Sequence, residues 1–195
     1  MTDTVVGDRG RILLPLARAA IAEALGRHGA VPAIDRSAPW LAEPGAAFVT
    51  LTENGRLRGC IGSLAPRRPL GDDVAANARA AAFDDPRFPP LSRDELDRIR
   101  IEVSVLSPLT PLPVASEAEA LARIRPHVDG LVLEWGRHRG TFLPQVWEDL
   151  PLPHDFLTHL KLKAGLPSDF WDDDVRLSRY HVEKWSEPAR GPIPS

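Results

Sequence analysis

The sequence predicts an α+β fold with a mostly antiparallel sheet flanked by helices. Two observations carry this prediction: β-rich segments are joined by short turn sequences, and helical segments lie between these pairs. A doubly wound parallel sheet would instead need a long crossover between each strand and the next. The chain has 195 residues, 43% of them hydrophobic, which is enough for one core or for two lobes that share an interface.

The first third of the chain predicts a helix and then a hairpin. Residues 11–25 place apolar side chains at helical spacing, which is typical of an amphipathic helix. Residues 48–51 form a short β-rich run, and Asn54 and Gly55 follow it. This pair favours a tight hairpin turn because both central residues need positive φ. Residues 57–62 are therefore predicted to form the returning strand.

The middle of the chain alternates helix and strand signals. Residues 70–83 are alanine-rich and amphipathic, and the predicted helix ends before Pro86 because the residue preceding a proline avoids the α region. Ser92 and Glu95 make a capping box, which predicts a second, short helix. Residues 101–105 alternate apolar and polar side chains and predict a half-buried strand.

The last third opens with another capping box, formed by Ser116 and Glu119, and a helix that ends before a proline. Two strands are then predicted on either side of a five-residue loop, followed by a further helix and an extended run. In order, these elements are a helix to residue 125, strands 131–135 and 141–143, a helix over 156–164 and an extended run over 175–185. Residues 188–195, rich in Pro, Gly and Arg, are predicted to be a loose tail.

The charge pattern and the cysteine count exclude several classes of protein. The net charge is −3 and basic residues are mixed with acidic ones, which disfavours nucleic acid as a partner. Cys60 is the single cysteine, so an internal disulfide and a multi-cysteine metal site are excluded, and a cytoplasmic location is expected. No segment is long and apolar enough to span a membrane, and no metal site or cofactor is predicted.

The candidate site is the strand around Cys60. Alternate residues of a strand share a face, so Arg58 and Cys60 are expected to project together and Leu57 to point the other way. A fixed cation beside a thiol favours the thiolate, which makes Cys60 and Arg58 the candidate catalytic residues. Gly59 and Gly62 lack side chains and leave room for a ligand to approach.

A structural interpretation of the same residues stays open. Free cysteines are often buried, a glycine within a strand often marks a bulge, and Arg58 would then only hold a carboxylate such as Asp84 or Asp85. The proline-fixed loop after the second helix offers two more candidate ligand-binding residues. Arg87 suits an anionic group, and Asp85 suits the orientation of Arg58 or the acceptance of a proton, although an ordinary turn uses the same residue types.

Several motifs in order resemble the AMMECR family. They are LRGCIG at 57–62, DPRFPPL at 85–91, IEVSVL at 101–106, LPQV at 143–146 and KAGL at 163–166. Several independent motifs in one order make a chance match improbable. The resemblance covers about residues 12–185 and leaves residues 1–11 as an N-terminal extension. This chain has Asp129 before Gly130 where many family members have histidine, and His127 lies two positions earlier.

The resemblance implies two unequal lobes with a cleft, and the hexapeptide near that cleft. Bacterial and archaeal members of the family are labelled protein A of the AmmeMemoRadiSam system, so the resemblance implies a Memo-like protein and a radical S-adenosylmethionine enzyme as partners. The function expected from this is an accessory protein that handles a small molecule, with a small anionic ligand in the cleft. The alternative is a thiol-dependent enzyme with Cys60 as its nucleophile, and nucleic-acid binding is a weaker third hypothesis.

Overall fold

The computed structural model describes residues 9–27 and 37–188 of the chain. Residues 1–8 of the predicted extension and residues 189–195 of the predicted tail lie outside the described residues. The helices are α1 (Gly10–Ala24), α2 (Leu70–Phe83), α3 (Glu117–Arg123) and α4 (Pro153–Lys163). The strands are β1 (Pro44–Gly45), β2 (Ala47–Glu53), β3 (Arg56–Gly62), β4 (Arg68–Pro69), β5 (Ile99–Leu106), β6 (Thr110–Leu112), β7 (Gly130–Trp135), β8 (His138–Phe142), β9 (Arg176–Tyr180) and β10 (Val182–Ser186).

The chain divides into two compact units. The first contains the residues up to Leu106 and those from Glu183 onward, and the second contains Ser107–Val182. Each unit has its own four-stranded antiparallel sheet and its own hydrophobic core. The predicted α+β class with antiparallel sheets is confirmed. Within the described ranges, no helix has the length and apolar character needed to cross a lipid bilayer.

The sheet of the first unit has the strand order β10-β5-β2-β3, so β3 is an edge strand. One face of β2 and β5 is fully buried, and its side chains, including Val49, Leu51, Ile101 and Val103, belong to the same core as the apolar stripes of α1 and α2. Alternation then directs the other side chains of these strands to the opposite face of the sheet.

Two local predictions in this unit have different outcomes. Asn54 and Gly55 have φ values of 51° and 76°, so the predicted tight hairpin turn between β2 and β3 is confirmed. The helix predicted after Ser92 is wrong, because residues 93–98 form consecutive turns. The capping box itself is partly present, since the Glu95 carboxylate accepts a hydrogen bond from the Ser92 backbone N–H at 2.8 Å.

The second unit has the strand order β6-β9-β7-β8, and its core includes Trp147 stacked on Phe156 with ring centroids 3.8 Å apart. The loop between β7 and β8 is shorter than predicted, because residues 138–140 already pair with β7. The final extended run is also two strands instead of one. Its first part, β9, belongs to this sheet, whereas β10 belongs to the sheet of the first unit.

Candidate functional site

The pairing of β2 with β3 contains a bulge at Arg58. Leu51 pairs with Gly59 and Thr52 pairs with Leu57, which leaves Arg58 as an extra residue without a partner. The bulge interrupts the alternation on which the sequence prediction depended. Leu57 is 42% exposed, whereas Arg58 is buried. The predicted shared face of Arg58 and Cys60 is therefore wrong.

The Arg58 guanidinium is held by the segment that follows α2. Its Nε donates to Glu95 Oε1 at 2.7 Å, and its Nη2 donates to Glu95 Oε2 at 3.3 Å and to the Pro89 carbonyl at 2.9 Å. It also lies over the ring of Phe88, 5.9 Å from the centroid. The hydrogen bonds from Arg58, followed by those from Ser92, lower the pKa of Glu95 to about 2. The positive charge of Arg58 is thus compensated by Glu95. The geometry therefore does not support the predicted catalytic role of Arg58.

Cys60 lies in the edge strand opposite Thr50 of β2 and is half-buried. Its Sγ is 3.3 Å from the Thr50 hydroxyl oxygen, and either atom can donate. The backbone N–H of Cys60 points away from β2 and donates to Asp85 Oδ2 at 2.9 Å. Cys60 and Thr50 therefore form a non-hydrogen-bonded pair, the type of cross-strand pair whose side chains are closest.

Asp85 and Arg87 cover the free edge of β3 at Cys60. Arg87 binds Asp85 through two hydrogen bonds, from Nε to Oδ1 at 2.9 Å and from Nη2 to Oδ2 at 2.7 Å. The same Nη2 donates to the Cys60 carbonyl at 3.3 Å, while Asp85 accepts from the Cys60 N–H. The pair thus satisfies both backbone groups that a neighbouring strand would otherwise bind.

The two members of this pair differ in burial and in charge state. The Asp85 side chain is 2% exposed and the Arg87 side chain is 54% exposed. The Arg87 guanidinium and the Cys60 N–H hold the pKa of Asp85 well below its usual range, and Asp85 in turn raises the pKa of Arg87. The prediction that Asp85 orients Arg58 is wrong, because Asp85 binds Arg87 instead. Its low pKa also makes it a poor proton acceptor at neutral pH, which removes the support for that predicted role.

The two glycines of the hexapeptide make room for protein atoms and not for a ligand. A Cβ on Gly59 would lie 2.1 Å from the carbonyl oxygen of Ala81, so this glycine lets α2 pack directly on β3. A Cβ on Gly62 would lie 2.2 Å from the ring of Phe48, its cross-strand partner. The predicted ligand space beside both residues is occupied in the fold.

Two residues on the sheet face of Cys60 were missed by the sequence reasoning. Thr50 pairs with Cys60 on one side and with Glu102 of β5 on the other, which places all three in one row. The alternation of residues 101–105 indicated that Glu102 lies on the polar face of its strand. The register that aligns it with Cys60 could not be read from the sequence.

Asp129 has a structural role in the second unit. It is fully buried, its Oδ1 accepts from Arg125 Nη2 at 2.6 Å, and its backbone carbonyl accepts from Trp147 Nε1 at 2.8 Å. Nearby, His127 has a positive φ of 61°. The aspartate at the position of the expected histidine is thus part of the internal packing of this unit.

The first unit is an α+β domain. Its edge strand β3 carries the half-buried Cys60, whose backbone is hydrogen-bonded to Asp85 and Arg87. The AMMECR1 family model matches residues 14–185, and the chain belongs to this family. It is 42% identical to a protein of Methanothermobacter thermautotrophicus over 92% of this chain and 95% of that protein. It is also 42% identical to a Thermotoga maritima protein over 82% of this chain and 88% of that protein.

A solved structure has the same fold. The crystal structure of the uncharacterized protein PH0010 from Pyrococcus horikoshii is similar to this chain with a TM-score of 0.73 and 36% sequence identity. The similarity covers 91% of each chain. The expected family and the expected α+β fold class are therefore confirmed.

Proposed function

We propose that this protein is an accessory component that binds a small anionic molecule beside Cys60 and acts with a Memo-like protein and a radical S-adenosylmethionine enzyme. The observation that carries the ligand-binding part is the position of Arg87. Its guanidinium is half exposed, is fixed by a buried carboxylate and donates to the backbone of the half-buried cysteine. The partners and the cytoplasmic location come from the family resemblance and from the single free cysteine.

The Arg87 guanidinium has hydrogen-bonding capacity to spare. Nε and Nη2 donate to Asp85 and to the Cys60 carbonyl, and no protein acceptor binds Nη1 among residues 9–27 and 37–188. A guanidinium that is already oriented loses little freedom when it binds an anion, and its planar donors suit carboxylates and phosphates. The buried Asp85 carboxylate holds the Arg87 side chain in place. The guanidinium is therefore the member of the pair that solvent and a ligand can reach.

The ligand-binding part is tested with iodoacetate and iodoacetamide, which alkylate the single cysteine and differ in charge. An accessible guanidinium about 4 Å from the reagent's carboxylate favours the anionic reagent by about 1 kcal/mol in water, or about fivefold in rate. At low salt, Arg87→Gln should lower the iodoacetate to iodoacetamide rate ratio by about fivefold. The matched control is Arg56→Gln, an exposed arginine of the same strand. An unchanged ratio in Arg87→Gln contradicts anion recognition by this residue.

The partner part is tested by co-expression with a Memo-like protein and a radical S-adenosylmethionine enzyme. A complex that copurifies, or a change in the small-molecule products of the partners, is the expected result. If neither a complex nor a change in products is observed, the accessory role is wrong. This outcome is independent of the alkylation rates and leaves the ligand-binding part to its own test.

A second candidate function is a thiol-dependent enzyme that uses Cys60 as its nucleophile. Two observations favour it: Cys60 is only half-buried, and the Thr50 hydroxyl lies 3.3 Å from its Sγ. In that case native Cys60 should react with iodoacetamide faster than the same cysteine in the unfolded chain. The accessory function requires only that the thiol is accessible.

A further inference from the structure

A polar row crosses the sheet of the first unit on the face of Cys60. Thr50 is the Cα partner of Cys60 in β3 and of Glu102 in β5. Residues that pair directly across antiparallel strands project to the same face, and their side chains are in reach of each other. Cys60, Thr50 and Glu102 therefore lie in one row across three strands, on the opposite face from Val49 and Leu51.

One carboxylate oxygen of Glu102, Oε1, has no hydrogen-bond donor among the described residues. Its Oε2 accepts a hydrogen bond from the Ser186 hydroxyl at 2.8 Å, whereas Oε1 has only a long ionic contact of 4.0 Å with Lys184 Nζ. Within the described part of the chain, no hydrogen bond is donated to Oε1. The side chain is 35% exposed, so a ligand can reach this oxygen.

Charges of opposite sign thus flank the thiol. Arg87 lies at the outer edge of β3, and Glu102 lies two strands further into the sheet. Adjacent strands are about 4.8 Å apart, so Cys60 and Glu102 are separated by about 10 Å along the row. A small molecule that lies along the row can meet the guanidinium with one end and the carboxylate with the other.

We propose that Glu102 is a ligand-recognising residue of this site, and that the bound molecule carries an amino group or another cationic group in addition to its anionic group. Glu102 accepts the cationic group at Oε1, and Thr50 offers a hydroxyl to the central part of the molecule. This inference rests on the proposed function, because it takes the anionic end of the ligand to be bound by Arg87. It narrows the substrate class from small anions to small zwitterions.

The test uses three methanethiosulfonate reagents that differ in charge: trimethylammonioethyl, sulfonatoethyl and methyl. In each reaction the Cys60 thiolate attacks the sulfenyl sulfur of the reagent, a disulfide forms and methanesulfinate leaves. The proton of the thiol goes to solvent. Rates are measured on the full chain at low ionic strength and are divided by the rate of the neutral methyl reagent, which removes differences in accessibility.

Glu102→Gln should lower the relative rate of the cationic reagent by about threefold, the effect of one charge at about 6 Å in water. The amide oxygen of the introduced glutamine would still accept the hydrogen bond from Ser186, so the fold should be kept, and Glu102→Asp should restore the preference for the cationic reagent. The matched control is Glu53→Gln, because Glu53 lies on the same strand as Thr50 but faces the other side of the sheet. Glu53→Gln should leave the relative rate unchanged.

Two outcomes separate this inference from the proposed function. If Arg87→Gln slows the anionic reagent and Glu102→Gln leaves the cationic reagent unchanged, Glu102 has no part in recognition and the zwitterion inference is overturned. If Arg87→Gln has no effect on the anionic reagent, anion binding at Arg87 fails, whatever Glu102 does.

Discussion

The two sides of strand β3 differ in how far the protein encloses them. On one side, Arg58 is tied to Glu95 and Gly59 contacts the backbone of α2, so both residues are enclosed by protein. On the other side, Cys60 is half-buried beside Thr50, and Arg87 reaches the strand edge with more than half of its side chain exposed. Substitutions on the first side should therefore change stability, and substitutions on the second side should change reactivity.

The largest loss of stability is expected for Gly59→Ala. The added methyl group would lie 2.1 Å from the carbonyl oxygen of Ala81, and this backbone atom moves only if α2 moves. We expect the free energy of unfolding, measured in urea, to fall by about 3 kcal/mol. Gly62→Ala is the matched control, since its methyl group would meet the half-buried side chain of Phe48, which can change its χ1 rotamer, and the loss should be smaller. Equal losses would show that the close packing of α2 on β3 is not the reason why residue 59 is a glycine.

Arg58→Ala should have the next largest effect. It removes the partner of the Glu95 carboxylate, whose side chain is 17% exposed, and it opens the contact with Phe88. Loss of the hydrogen-bonding partner of a largely buried carboxylate should lower the free energy of unfolding by about 2 kcal/mol. Arg98→Gln breaks a more exposed pair with Glu53 and should cost less. The structural interpretation of Arg58 is wrong if the two variants are equally stable.

The pair of Arg58 and Glu95 should also appear in the pH dependence of stability. The pKa of Glu95 is lowered from 4.5 to about 2 in the folded protein, so the folded state binds this proton less readily than the unfolded state. The stabilisation is complete above about pH 5 and is lost as the pH falls toward 2. Between about pH 5 and pH 3, the wild type should lose more stability than Arg58→Ala, as measured by urea unfolding. Parallel curves would contradict this pairing.

The smallest effect on stability is expected for Arg87→Gln. The Arg87 side chain is half exposed, and the buried Asp85, although it loses its guanidinium partner, keeps the backbone N–H groups of Cys60 and Arg87 as donors and can accept from the side-chain amide of the variant. The urea midpoint should change less than in Arg58→Ala, even though the same variant changes the charge preference of Cys60 alkylation. A large loss of stability without a change in preference would make Arg87 a structural residue like Arg58.

The sequence predicted local features of this region well and tertiary ones poorly. Asn54 and Gly55 determine their own turn because positive φ is a property of those residues, and the bounds of α2 follow from its periodicity and the proline after it. Gly59 allowed a bulge in this strand, and the structure has one beside it at Arg58, but the alternation of residues 57–62 did not locate it. Arg58 binds Glu95 and not Asp85 because of the path of the chain after α2. This tertiary feature cannot be predicted from a local motif.

The polar row shows the same limit. Residues 101–105 indicated which face Glu102 occupies, but the alignment with Thr50 and Cys60 is a matter of strand register. Register depends on contacts between strands that are far apart in the sequence, and no local motif encodes it.

The site beside Cys60 is tested most directly by the alkylation rate of this cysteine by iodoacetamide at neutral pH, in the native protein and in urea. Because this is the single cysteine, both rates report the same atom. We expect the native rate to be within about tenfold of the unfolded rate, because a half-buried thiol that a ligand can reach is also accessible to the reagent. A native rate more than about a hundredfold slower would mean that the thiol is enclosed, and the site beside Cys60 would not exist.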